Sequence, residues 1–160
     1  MLEKLDYMVR FWGLKARHAA GARLSALELG ELLSLLSMMV VDDPMPEPSA
    51  APREEGLPVQ IAVKSGFLAA ELHHVCSAGL VVTTAAPFFV GQSTMVRITD
   101  AEHDVEYTLP CVVEWTFPGL PATMALRVDG APTRMCCAQP EQGTWGAPLG
   151  WSDPAWMPAE

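Results

Sequence analysis

A chain of 160 residues, half of them hydrophobic, is long enough for one domain plus an appendage and apolar enough to bury a core. Its formal net charge of -9 at pH 7 disfavours nucleic acid as a partner, because an acidic surface repels a phosphate backbone. No stretch of the sequence approaches the roughly 18 consecutive apolar residues that a membrane span requires.

The charge is unevenly spread. Residues 1–40 hold five basic side chains (Lys4, Arg10, Lys15, Arg17, Arg23) and four acidic ones (Glu3, Asp6, Glu28, Glu31), a net of +1. The remainder holds five basic and fifteen acidic, a net of -10. Glu3 and Asp6, in a start without a long apolar run, predict a chain without a secretory leader. The expected location is cytoplasmic, with Cys76, Cys111, Cys136 and Cys137 as free thiols. Cys136 and Cys137 are adjacent and lack the two-residue gap of a zinc knuckle or redox pair, so no metal is expected there.

In chain order, the first predicted element is a helix over residues 2–20. Leu2, Leu5, Val9, Trp12, Ala16 and Ala19 follow the 3-4 spacing of a short coiled-coil seam, and Gly21 is its stop. Ser25-Ala26-Leu27-Glu28 is a capping box that opens a second helix, to about Val40. That helix carries Leu27, Leu29, Leu32, Leu33, Leu35, Leu36, Met38 and Met39, with only a narrow polar stripe. A helix this apolar needs cover on most sides, more than one neighbouring helix supplies. The first unit is therefore a helical hairpin over 1–41 serving self-association or partner binding. Its interaction candidates are Leu2, Leu5, Val9, Trp12, Leu29, Leu32, Leu33 and Leu36.

An acidic, proline-rich linker over 42–56 is expected to stay extended and mark a boundary, leaving the helices little to bury against a distant barrel. From Leu57 the hydrophobic period changes to two. Strands are predicted near 58–64, 67–75, 79–84, 93–100, 105–116 and 122–129. Pro110 within the fifth implies an edge position or a bulge. Six short strands without intervening helices indicate a mainly β fold, a small six-stranded antiparallel barrel over 57–130. Residues 131–160 show neither helical nor strand period. Trp145, Trp151 and Trp156 in this proline-rich tail are further contact candidates, since exposed indoles are costly.

Two histidines, a cysteine and a small-residue turn stand together in His73-His74-Val75-Cys76-Ser77-Ala78-Gly79, between two apolar strands. The stretch resembles the Asp/Asn-x-Ser-x-x-Gly turn of bacterial PilZ domains, with His74 at the acidic or amide position, Cys76 at the serine and Gly79 kept. Leu57-Pro58-Val59, Phe67 to Leu72, Gly79 to Val82, Cys111 to Trp115 and Met124 to Val128 resemble that family's strands, and Pro87 to Gly91 its turn into the fourth strand, all in the same order. The resemblance covers 57–130 and implies a barrel whose usual ligand is cyclic di-GMP. The family's Arg-x-x-x-Arg segment, which clamps phosphates, is represented only by Arg53, beside Glu54 and Glu55. The chain is thus identified as a degenerate PilZ-type protein with an N-terminal helical extension. The resemblance implies a non-catalytic signalling or motility adaptor acting through proteins, without cofactor. The degenerate ligand-site positions are Arg53, His74, Cys76 and Gly79, and cyclic di-GMP is not expected to bind.

Two other classes stay open. One is a cyclic di-GMP receptor using altered contacts. The other is an enzyme with Cys76 as nucleophile, for which the sequence offers no orienting acid and no oxyanion loop. A metal site on His73, His74 and Cys76 lacks further ligands nearby, and a plain surface role for the histidines is the simpler reading.

Overall fold

Ser25 starts a helix because its hydroxyl accepts from the Glu28 amide at 3.1 Å while the Glu28 carboxylate accepts from the Ser25 amide at 3.4 Å. The structure, a computed structural model, describes residues 1–39 and 44–136. Trp145, Trp151, Trp156 and Cys137 lie outside the described residues. The capped helix is α2 (Ala26–Met39), and α1 (Leu2–Ala19) precedes it. Gly21 ends α1 as expected. Its φ of +80° lets its own amide reach the His18 carbonyl and the Ala22 amide reach that of Arg17. Arg10 forms a two-pronged ion pair with Glu31, both contacts at 2.9 Å, and Arg17 lies 3.2 Å from Glu28, so α2 folds back along α1.

The strands are β1 (Leu57–Val63), β2 (Gly66–Val75), β3 (Gly79–Thr84), β4 (Ser93–Asp100), β5 (Val105–Phe117), β6 (Ala122–Val128) and β7 (Thr133–Cys136). All pairings are antiparallel. The order β4-β1-β2-β3-β6-β5 is closed by pairing of β4 with β5, which gives the expected six-stranded barrel beside two N-terminal helices. Period-two burial places Val105, Tyr107, Leu109, Cys111 and Val113 of β5 inside.

Four features depart from the expectations. First, the region after 130 does hold a strand: β7 pairs with residues Val105 to Thr108 of β5. Second, Pro110 sits in no edge strand and no bulge. It falls in the gap between the β7 pairing, which ends at Thr108, and the β6 pairing, which starts at Cys111. A residue without an N–H is tolerated in such a gap, and the Pro110 carbonyl still accepts from the Asp129 amide at 2.9 Å.

Third, the linker is not a free spacer at its described start. Met45 and Pro46 are half-buried, and the Trp115 indole donates to the Pro46 carbonyl at 3.0 Å. Fourth, the helices are not remote from the barrel. Leu5, Met8, Val9, Phe11, Trp12 and Leu14 of α1 share one continuous core with Leu32 and Leu35 of α2 and with the inward residues of β1 to β6. Those six positions spread over more than half of the α1 circumference at 3.6 residues per turn. The helix is therefore covered from two sides. Each such side chain, once buried, stabilises by about 1.5–3 kcal/mol.

Candidate functional site

The turn between β2 and β3 is built by a register shift. β2 pairs regularly with β3 up to Leu72, slips, and resumes at His74. The slip puts Val75 inside and leaves His74 half-buried. The His73 ring is almost enclosed. Its Nε2 lies 2.9 Å from the Thr83 hydroxyl and 3.6 Å from the Glu71 carboxylate, so its neighbours are structural ones.

Cys76 is fully buried. Its amide donates to the Gly79 carbonyl at 2.9 Å, and its thiol lies 3.5 Å from that same oxygen and 3.9 Å from Met45 Sδ. The next two carbonyls are also engaged. The Trp12 indole donates to the Ser77 oxygen at 2.9 Å, and the Val128 amide donates to the Ala78 oxygen at 3.1 Å. Gly79 is required by space: a Cβ there would run into the Leu126 carbonyl oxygen on the paired strand β6. The turn residues thus spend their polar groups on holding α1, β3 and β6 together. A buried thiol used this way offers no exposed nucleophile and no contact to a ligand outside.

Beside the turn lies an open groove of about 350 Å³ between α1 and the end of β6, with Trp12, Lys15, Ser77 and Arg127 in its lining. Arg53, Glu54 and Glu55 are all exposed, and Arg53 makes no ion pair among the described residues. Lys15 lies 5.8 Å from the centre of the Phe11 ring.

Of the expected contact residues on α1, Leu5, Val9 and Trp12 are buried within the chain and Leu2 is half-buried against the same core. That seam is therefore consumed internally, because the barrel and α2 supply its cover in place of the expected partner. On α2 the expected set splits. Leu32 is buried, while Leu29, Leu33 and Leu36 are exposed at 43, 58 and 41 %. Leu27 and Met38 join them at 87 and 63 %. Glu28 and Glu31 turn toward α1 and are paired with its arginines, so every exposed residue described on α2 is uncharged. The Ser34 hydroxyl on this face donates to the Gly30 carbonyl at 2.9 Å, inside the helix itself.

A polar clamp joins α1, β5 and β7. The buried Tyr107 hydroxyl of β5 donates to the Asp6 carboxylate at 3.0 Å, and Arg134 Nε of β7 meets the same oxygen at 3.0 Å. Burial pushes the Tyr107 pKa up, and Arg134 is held above its ordinary value by its hydrogen bond to Tyr107. Three elements are tied by this cluster, and no sequence spacing marks residues 6, 107 and 134 as neighbours.

At the β4–β5 hairpin, Asp100 accepts from the amides of Glu102 and His103 and from the His103 ring at 2.8 Å. Burial alone would raise the Asp100 pKa, but these hydrogen bonds outweigh it and hold the carboxyl below its ordinary value. The same side-chain hydrogen bond raises that of His103. Among the described residues no group of three His, Cys, Asp or Glu side chains is arranged to hold a metal ion. Among the same residues no helix is long and apolar enough to cross a membrane. Comparison with protein-family models finds no match, and comparison with curated proteins finds none.

Proposed function

We propose that this chain is a non-catalytic adaptor that works through protein contacts, its barrel a degenerate PilZ domain that has lost the family's usual cyclic di-GMP site. The observation that carries the reading is the outward face of α2. Leu29, Leu33 and Leu36 stand exposed along one side of this helix, Leu27 and Met38 are exposed on another, and no exposed residue described on α2 is charged. A row of exposed leucines at helical spacing, without a charge among them, supports an interaction site.

The turn supports the loss of the nucleotide. Cys76 faces inward, the carbonyls of Ser77, Ala78 and Gly79 are occupied by the protein's own donors, and α1 lies against the turn through Trp12. Arg53 stands beside two carboxylates that oppose a phosphate. Signalling or motility is the setting that the resemblance to PilZ domains implies, and a cytoplasmic location fits it.

Calorimetry with cyclic di-GMP tests the nucleotide half. The expected result is no binding at micromolar ligand. A dissociation constant at or below about 1 μM, roughly -8.2 kcal/mol, would overturn it. Lys15 and Arg127 in the groove beside the turn are then the cations to remove, and weakened binding in Lys15→Ala or Arg127→Ala would establish a receptor using altered contacts. Capture experiments with the unaltered chain and with Leu33→Glu test the adaptor half. Partners retained equally by both forms would show that α2 is not the contact surface.

A further inference from the structure

The outer side of the barrel carries a second buried layer. Leu80, Val82, Met124 and Leu126 point into the core, so period two sends their neighbours Val81, Thr83, Thr123 and Ala125 outward. Those four are nonetheless 5, 4, 1 and 0 % exposed. The register shift in β5 between Val113 and Trp115 sets Trp115 opposite Ala125 and Phe117 opposite Thr123, on the same outer face. Two cross-strand rows result, Trp115–Ala125–Val81 and Phe117–Thr123–Thr83.

The described start of the linker is seated here. The Trp115 indole donates to the Pro46 carbonyl at 3.0 Å, and Met45 Sδ lies 3.9 Å from the Cys76 thiol. Pro44, Pro46 and Pro48 alternate with Met45 and Glu47. Each proline fixes its own φ and pushes the residue before it to extended backbone. Such a segment is preset for a polyproline-type form, in which no internal hydrogen bonds engage the carbonyls. Docking of proline-rich segments of this form in an aromatic-lined groove is a recurring mode of peptide recognition. We infer that the outer face around Trp115 is a binding site for an extended, proline-rich peptide of a partner protein, and that residues 44–48 fill it when that peptide is absent. The segment already seated there selects the occupant, because it shows the backbone form and the side chains that the face accepts. The inference does not draw on the α2 face.

Two observations make the seated segment exchangeable. The linker is lightly held and has slack. Pro44, Glu47 and Pro48 are exposed, and the far end is fixed on β2, where a Cβ on Gly56 would lie 2.7 Å from the Leu72 carbonyl oxygen. From β5 through β6 and β3 to β2 is three strand spacings, about 14 Å, whereas the ten residues after Pro46 reach about 33 Å when extended. Met45 and Pro46 can therefore leave Trp115 without unpairing β1. The second observation is the buried Thr123 hydroxyl, which has no hydrogen-bond partner among the described residues. An unpaired buried hydroxyl is costly, so a peptide that brings a donor or acceptor to it gains what the present cover does not. Because the chain's own segment competes at high effective concentration, binding to the unaltered chain is weak, and vacating the seat strengthens it.

The test uses the full chain and a fluorescein-labelled peptide with the sequence of residues 44–52, Pro-Met-Pro-Glu-Pro-Ser-Ala-Ala-Pro. In a chain carrying Met45→Ser, Pro46→Gly and Pro48→Gly, anisotropy is expected to show binding at least about tenfold tighter than in the unaltered chain. Adding Trp115→Phe removes the indole donor and is expected to weaken that binding by about fivefold or more. A peptide with its methionine and prolines replaced by alanine is expected not to compete. A vacated chain that is folded by circular dichroism and binds no peptide at roughly 1 mM overturns the inference. So does binding that is indifferent to Trp115→Phe, or that the alanine peptide matches. Should the vacated chain fail to fold, the unaltered chain decides. Its Trp115 indole N–H signal in a nitrogen-15 spectrum, assigned with Trp115→Phe, is expected to shift on adding millimolar peptide, and a signal that stays in place overturns the inference. Neither result bears on capture through α2, which Leu33→Glu tests separately.

Discussion

Trp12→Ala is the substitution that reports most directly on how α1 belongs to the fold. The indole is 5 % exposed, sits in the core shared by helices and barrel, and donates to the Ser77 carbonyl at 2.9 Å. Truncating a buried tryptophan to alanine costs about 3–5 kcal/mol. Of this, about 1 kcal/mol reflects the hydrogen bond. Trp12→Phe keeps most of the apolar volume, loses the donor and leaves the Ser77 oxygen unpaired. Its expected cost is about 1–3 kcal/mol, the penalty of an unsatisfied group. For a domain of this size each kcal/mol moves the melting temperature by about 2–4 °C. The assay is urea unfolding followed by far-ultraviolet circular dichroism, since several tryptophans blur a fluorescence signal. One cooperative transition is expected, moved to lower urea in Trp12→Ala with an unchanged slope. A barrel transition that stays in place while only helical signal is lost would refute the shared core.

Three further outcomes are expected. Gly79→Ala destabilises by at least about 1–3 kcal/mol, because the methyl group meets the Leu126 carbonyl rather than a yielding side chain; an unchanged melting temperature would contradict the close approach of β3 to β6. In the folded chain Cys76 and Cys111 resist alkylation while Cys136 reacts, since the first two are buried and burial pushes the Cys111 pKa up to about 12; peptide mass mapping after brief labelling distinguishes them. The Asp100–His103 pair gives a stability term with two limits. The raised His103 pKa makes its share complete below the ordinary 6.5 and lost as pH rises through the raised value, and the lowered Asp100 pKa makes its share lost as pH falls through the acid range. The melting-temperature gap between the unaltered chain and His103→Ala should therefore narrow toward alkaline pH; a gap that widens there would show the sign to be wrong.

Much of the fold was legible because its signals are local. The capping box at Ser25, the stop at Gly21 and the period-two alternation from Leu57 each depend on residues a few positions apart. A small six-stranded antiparallel barrel follows from six short strands without intervening helices, whereas the non-consecutive pairings of β1 with β4 and β3 with β6 leave no mark in the sequence. β7 escaped because four residues, all exposed, carry no hydrophobic alternation. It is held in place by backbone pairing with β5 and by the Arg134–Asp6 contact, neither of which leaves a pattern in sequence. The core position of α1 escaped for a related reason. An apolar stripe shows that a helix is covered and does not show by what, and Trp12 finds its acceptor 65 positions away.

The turn at Cys76 shows how one irregularity changes the chemistry read from a motif. Counted at period two from buried Leu72, His74 belongs inside and Val75 outside. The slip between Leu72 and His74 reverses this, and Val75 is 2 % exposed. A one-residue change of register exchanges the two faces of a strand, so a motif spacing can survive while its side chains point elsewhere. What the sequence offered as a ligand-reading turn became a junction holding α1, β3 and β6. With α1 committed to that junction, α2 is attached chiefly by buried Leu32 and Leu35 and by two surface ion pairs. Exposed pairs of this kind contribute little because solvent screens them, and an isolated helix of this length is marginal in water. Covering Leu29, Leu33 and Leu36 stabilises the helix as well as the contact, and this coupling ties the exposed face of α2 to association.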